Sequence, residues 1–142
     1  MWSLPNSMLY HVPDLQKAVS EVRRVLKKGG TFYTATIGEN NFTDRLAEWF
    51  ESGGESFKPN HIFTMQNGEE VLRKEFSDVT PVFYEDSLHI TDIEDLVVYL
   101  RSLVSFKAIF DVPEQKIRGI LAEHADKGVI DLPKEYGMFI CR

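Results

Sequence analysis

Residues 12–38 constrain the fold more tightly than any other stretch of the chain. Pro13-Asp14 is a helix opening, with Asp14 or Val12 as the N-cap depending on register. Leu15, Ala18, Val19, Val22, Val25 and Leu26 then recur at the three-and-four spacing of a helix with one buried face. Arg23, Arg24, Lys27 and Lys28 crowd its last turns, where cations complement the helix dipole. Gly29-Gly30 ends it, since glycine accepts the left-handed conformation just past a helix. Thr31 to Ile37, β-branched and aromatic and closed by Gly38, reads as a buried strand. A shorter extended candidate lies upstream, between Trp2 and Tyr10. Strand, helix, strand in this order is a βαβ unit, which requires parallel strands and a right-handed crossover.

The later elements continue an α/β pattern. A helix is expected from Phe42 to Glu51, burying Phe42, Leu46, Trp49 and Phe50. Asn67 can cap a helix carrying Val71, Leu72 and Phe76, with Glu69 and Glu70 in its first turn. Val79 to Ile90 is extended, and Pro81 within it argues for an edge, a bulge or a late strand start. Thr91-Asp92-Ile93-Glu94 has the capping-box pattern and opens a helix with Ile93, Leu96, Val97, Leu100, Leu103 and Val104 on one face. Pro113 starts another, with Ile117, Ile120 and Leu121 inward, stopped near Gly128. Two short strands follow, around Val129-Ile130 and from Tyr136 to Cys141, separated by Pro133-Lys134-Glu135. Gly53-Gly54 is the nearest thing to a linker, so residues 1–142 read as a single domain.

Composition removes several classes of function. A formal charge of −6 with one dense basic cluster, itself explained by a helix end, argues against nucleic-acid binding. Cys141 is the only cysteine, which leaves no disulfide framework or cysteine-rich zinc site. No run is apolar and long enough for a signal peptide or membrane span, so a cytoplasmic protein without membrane contact is expected. His61, His89 and His124 lack metal-ligand spacing with one another, and no metal site is expected. No Ser–His–Asp or Cys–His nucleophile can be assembled, and no catalytic residue is assigned.

The run Asn6-Ser7-Met8-Leu9-Tyr10-His11-Val12-Pro13-Asp14, followed by Val22-Arg23-Arg24-Val25-Leu26-Lys27-Lys28-Gly29-Gly30, resembles the class I S-adenosylmethionine-dependent methyltransferases. There the fourth strand ends in a short polar segment, a leucine, a histidine and a Val-Pro-Asp helix start; the helix closes on Arg-Val-Leu-Lys-Pro-Gly-Gly and enters the fifth strand. The resemblance implies the carboxy-terminal part of that fold. Its expected form is a partial Rossmann-like four-stranded mixed sheet in the order 4-5-7-6, flanked by helices and lacking strands 1–3. The helices from Thr91 to about Lys127 would be an insertion between strands six and seven. It also implies that Asn6, Ser7 and His11 approach the methionine part of the cofactor, although family members often carry Asn-His where this chain has Asn6-Ser7. The plainer alternative is that Asn6 and Ser7 satisfy a turn and His11 packs locally. Phe42, Trp49, Phe50, Phe57 and Phe63 are either a substrate lid or, more ordinarily, core.

In the family, S-adenosylmethionine is gripped from the carboxyl ends of strands one, two and four, with a Gly-x-Gly loop after strand one that admits its methionine part. This chain has nine glycines and no two are separated by a single residue. The expectation is therefore a fragment that does not hold the methyl donor alone. In the intact protein it would serve methyl transfer to a small-molecule acceptor. The bare edge of strand four, or the helices beside it, would then favour a homodimer. The alternative is a non-catalytic remnant acting through self-association or protein binding. An unrelated α+β ligand-binding domain fits the opening βαβ less well.

Overall fold

The computed structural model describes residues 2–3, 8–55 and 58–142. They form an α/β chain. β1 (Trp2–Ser3) is followed by a 3-10 turn (Leu9–His11), α1 (Leu15–Val25), β2 (Phe32–Asn41), α2 (Phe42–Ser52) and α3 (Gly68–Leu72). Next come β3 (Val79–Ile90), α4 (Ile93–Ser102), a 3-10 stretch (Val104–Asp111), α5 (Glu114–Glu123) and β4 (Ile130–Cys141). The sheet runs β1-β2-β4-β3. β1 lies parallel to β2, Trp2 opposite Phe32 and Ser3 opposite Tyr33, as the opening βαβ pattern requires.

β3 and β4 are antiparallel. Asp78 and Arg142 exchange both backbone bonds, at 3.1 and 2.8 Å, which happens only between directly opposed residues of antiparallel chains. The same register sets Tyr84 against Tyr136, ring centroids 5.0 Å apart, and His89 against Asp131, 2.7 Å apart. It also explains Pro81. Because Asp78 faces β4, every second residue after it does too, and Pro81 falls where an N–H would point away from the ladder. Its missing donor costs no strand bond.

Contacts divide the chain into two compact units, and β2, β3 and β4 each contribute to both. The first comprises residues 1–39, 60–86 and 135–142. Its core is Val19, Phe32, Phe63, Met65, Leu72, Phe76, Val79, Phe139 and Cys141. Asp14 is the cap of α1, its carboxylate accepting from the Lys17 N–H at 2.9 Å. Val19 is the fully buried residue of that helix, with Leu15, Val22 and Leu26 packed beside it. Val25, expected inward, is 65 % exposed, because it lies about 100° round the helix from Leu26. Helix α1 ends before the glycines do their work. Leu26 is its C-cap, and Gly29, at φ 75°, shapes a separate turn in which the Gly30 N–H reaches the Lys27 carbonyl at 2.8 Å. Asn67, expected to cap α3, does not: its side chain accepts from Thr64 N–H and donates to the His61 carbonyl, both at 2.8 Å.

The second unit comprises residues 40–59 and 87–134. α2, α4 and α5 bury Leu46, Phe50, Leu96, Val97, Leu100, Ile117, Ile120 and Leu121 together with Ile130 and Leu132 of β4. Asn41 opens α2 by accepting from the Phe42 N–H at 2.8 Å. Asp92, not Thr91, caps α4, accepting from the Glu94 N–H at 2.9 Å. Glu94 cannot then close a capping box; its carboxylate takes Arg118 at 2.6 and 2.9 Å, and that pairing holds it below the usual carboxylate range. Trp49 stacks on His124, centroids 4.2 Å apart, while His124 Nδ1 meets the Ile120 carbonyl at 2.9 Å. The aromatic group therefore reads chiefly as core: Phe50 and Phe63 are buried and Phe42 and Trp49 pack against the second unit's core. Phe57 lies outside the described residues.

The two short strands expected at the carboxyl end are one. β4 runs unbroken through Pro133, Lys134 and Glu135. By the alternation set at Asp78 and Arg142, the Pro133 nitrogen points away from β3, so the proline removes nothing from that ladder.

Two glycines test this packing in opposite directions. A Cβ at Gly137 would meet the Val82 carbonyl oxygen and the Met65 side chain, whereas a Cβ at Gly119, inside α5, meets nothing within 4 Å. Gly137→Ala should cost about 2–3 kcal/mol through overpacking. Gly119→Ala should gain about 0.5–1 kcal/mol from helix propensity. Urea denaturation of the two variants, giving opposite signs, checks both.

Candidate functional site

Ligands of open α/β sheets bind beyond the carboxyl ends of the parallel strands. On this chain that end comprises the residues after β1 and those closing β2. Of the three residues expected there, Asn6 and Ser7 lie outside the described residues. His11 closes the 3-10 turn and is exposed, its ring centroid 4.4 Å from that of Tyr10. Leu9 and Tyr10 anchor the turn by packing on the first unit's core.

At the carboxyl end of β2 the structure gathers polar residues that sequence reasoning did not single out. Gln66 bridges two strands: its Nε2 donates to Glu135 Oε1 at 2.7 Å and its Oε1 accepts from the Glu39 N–H at 2.9 Å. The Thr64 hydroxyl donates to Glu39 Oε1 at 2.8 Å, and the Met65 N–H donates to the Ile37 carbonyl at 2.9 Å. Thr64 is fully buried, so these bonds offset the desolvation of its hydroxyl. Gly38 makes room for the network, because a Cβ there would run into the Glu135 carboxyl group. Glu39 and Gln66 are 27 residues apart, and Gln66 and Glu135 are 69. No local motif links them; only the sheet order does.

A hollow of about 360 Å³ is lined by Leu26 to Thr31 and Tyr33, at the amino end of β2 and thus the wrong end of the parallel pair. Another, of about 450 Å³, lies in the second unit between the end of β3 and Asp92, Asp95, Leu96 and Tyr99 of α4 and its cap. Neither is lined by His11. The carboxylates of Glu39 and Glu135 already have protein partners. No group of three His, Cys, Asp or Glu among the described residues could hold a metal ion. No helix among them is long and apolar enough to cross a membrane.

Against this geometry, comparison with known proteins is informative over one stretch. Residues 4–34 match the family described as a methyltransferase domain. The matched stretch begins just after β1, takes in α1 and ends three residues into β2, so it lies within the parallel βαβ unit. The chain is also 30 % identical over 107 residues to a protein named replication factor C small subunit from Methanocaldococcus jannaschii. That alignment takes in 70 % of this chain and 5 % of that protein, so the chain spans only a small part of the relative's length.

Cys141 carries the chain's one thiol. It is buried, and burial, with the Asp78 charge second, pushes its thiol from 9.0 up to about 12. At pH 8 the folded chain should therefore react with iodoacetamide roughly a thousandfold more slowly than the chain in urea. A raised thiol pKa also sets the sign of a pH effect. Its contribution to stability is intact below pH 9 and is lost as the pH climbs from 9 towards 12. Equal labelling rates in buffer and urea would refute the burial argument.

Proposed function

We propose that this chain is the part of a class I S-adenosylmethionine-dependent methyltransferase fold that runs from its fourth strand to its seventh. β1, β2, β3 and β4 stand for strands four, five, six and seven, which corresponds to the order 4-5-7-6. The observation that carries the reading is that the matched residues 4–34 lie within the parallel β1–α1–β2 unit, beginning just after β1 and taking in α1 and the first residues of β2. The sheet order β1-β2-β4-β3 supports it further, and α4 and α5 take the place of the insertion between strands six and seven.

In the complete fold this part would contribute the fourth-strand contact to S-adenosylmethionine, through Asn6, Ser7 and His11, and surface on the side of a small-molecule acceptor. The bound cofactor would supply an electrophilic methyl group on a sulfonium sulfur. The protein's own task is then largely to position donor and acceptor. These 142 residues contain no Gly-x-Gly loop to complete the grip. One or two hydrogen bonds of about 1 kcal/mol each fall far short of the ~8 kcal/mol that micromolar affinity requires. The chain alone should therefore show no calorimetric signal with micromolar S-adenosylmethionine. One tight site per chain would overturn this reading of its role. The family assignment has its own test in the coding DNA upstream of Met1, where a strand, Gly-x-Gly and helix segment is expected.

A second reading, self-association without catalysis, draws on the place of β1 at one edge of the sheet. We propose a homodimer formed through that edge or the helices beside it. Light scattering should give twice the chain mass at high concentration, and a strict monomer there would exclude the dimer.

A further inference from the structure

We infer that Asn60 is a positioning residue for the turn that carries His11. The geometry rests on hydrogen bonds alone; its bearing on a cofactor rests on the methyltransferase reading. The turn has little of its own to hold it. Inside it are two 3-10 bonds, His11 N–H to the Met8 carbonyl at 3.0 Å and Val12 N–H to the Leu9 carbonyl at 3.3 Å. A single turn of this kind is a poor structure in isolation, because its bonds are few and badly aligned. Leu9 and Tyr10 fix its base by packing on the core, but packing does not fix the peptide planes that aim the next residue.

Asn60 fixes one of those planes. Its Nδ2 donates to the Tyr10 carbonyl at 2.9 Å, across 50 residues of sequence. Its Oδ1 accepts from the Ile62 N–H at 3.1 Å. Both ends of the amide are thus used by complementary groups, and a flipped amide would face a carbonyl with its oxygen and an N–H with its NH2. The loop behind Asn60 is itself pinned: Asn67 holds the His61 carbonyl, Met65 holds Ile37, and Gln66 spans Glu39 and Glu135. Asn60 therefore ties the His11 turn to the firmly bonded end of β2.

Asn60→Asp is the discriminating change, since it keeps an oxygen for the Ile62 N–H and removes the donor to Tyr10. Asn60→Ser also keeps a small acceptor, is too short to reach Tyr10, and adds no charge. In the 142-residue chain, nuclear magnetic resonance reads the outcome through the His11 ring protons, whose shifts report the neighbouring Tyr10 ring, and through amide exchange. Both variants should move the His11 ring resonances toward those of a free histidine peptide. Exchange at His11 and Val12 should quicken about five- to tenfold, the scale of one lost hydrogen bond, while the Met65 amide is unchanged. Unaltered His11 resonances and exchange would overturn the assignment. So would equal loosening at Met65, which would make Asn60 a general support of the loop. Either result stands whether or not the calorimetric and coding-sequence tests uphold the methyltransferase reading.

Discussion

The backbone ladder of β4 is the constraint on which the rest depends. Lying between β2 and β3, it must satisfy its N–H and C=O groups on both sides, and its twelve residues contribute to both compact units. Its side chains have to reconcile two cores: Ile130 and Leu132 serve one, Phe139 and Cys141 the other. Between them the strand passes close to its neighbours, with Gly137 against the Val82 carbonyl and Glu135 laid over Gly38. A slip of one residue would turn Phe139 and Cys141 out of the first core and bring charged or half-exposed neighbours in. The reciprocal Asp78–Arg142 bonds guard against this by fixing the register at one end.

What could be read from the sequence follows from this. Elements governed by their own periodicity were legible: α1 and its Asp14 cap, α2 from Phe42, the whole of β3 from Val79 to Ile90, and the inward faces of α4 and α5. The methyltransferase resemblance of the first βαβ unit was legible for the same reason, since its signals lie within one local stretch. Local patterns failed where a distant partner outbid the nearby one. Glu94 would complete a capping box with Thr91, but Arg118 offers a two-pronged partner and Asp92 takes the cap. Asn67 would cap α3, but the loop before it needs both of its amide groups. Pro133 looks like a strand breaker until the register shows that its missing donor does not face β3.

The candidate site was legible only in part. His11 stood out in the sequence because it belongs to a contiguous motif. Asn60, Thr64, Gln66 and Glu135 were not, because each is an unremarkable polar residue until the sheet brings it to the end of β2. Their physical value lies in mutual satisfaction. A buried hydroxyl such as that of Thr64 is tolerable when paired, and a chain of such pairs turns a loop into a fixed support.

That support shows how the order of a turn and the affinity of a site at strand ends answer to different requirements. Ligand binding at strand tips is a sum over several contacts, each worth about 1 kcal/mol net, set against a fixed cost of immobilising the ligand. The sum crosses that cost only when contacts converge from several strands. Local order has no such threshold. The Tyr10–His11 turn needs one long-range hydrogen bond and two packed side chains, all of which lie within the first unit. Under the proposed methyltransferase reading, this turn would be one side of a binding site, ordered by contacts within the first unit, while the binding energy would be summed over further strand ends.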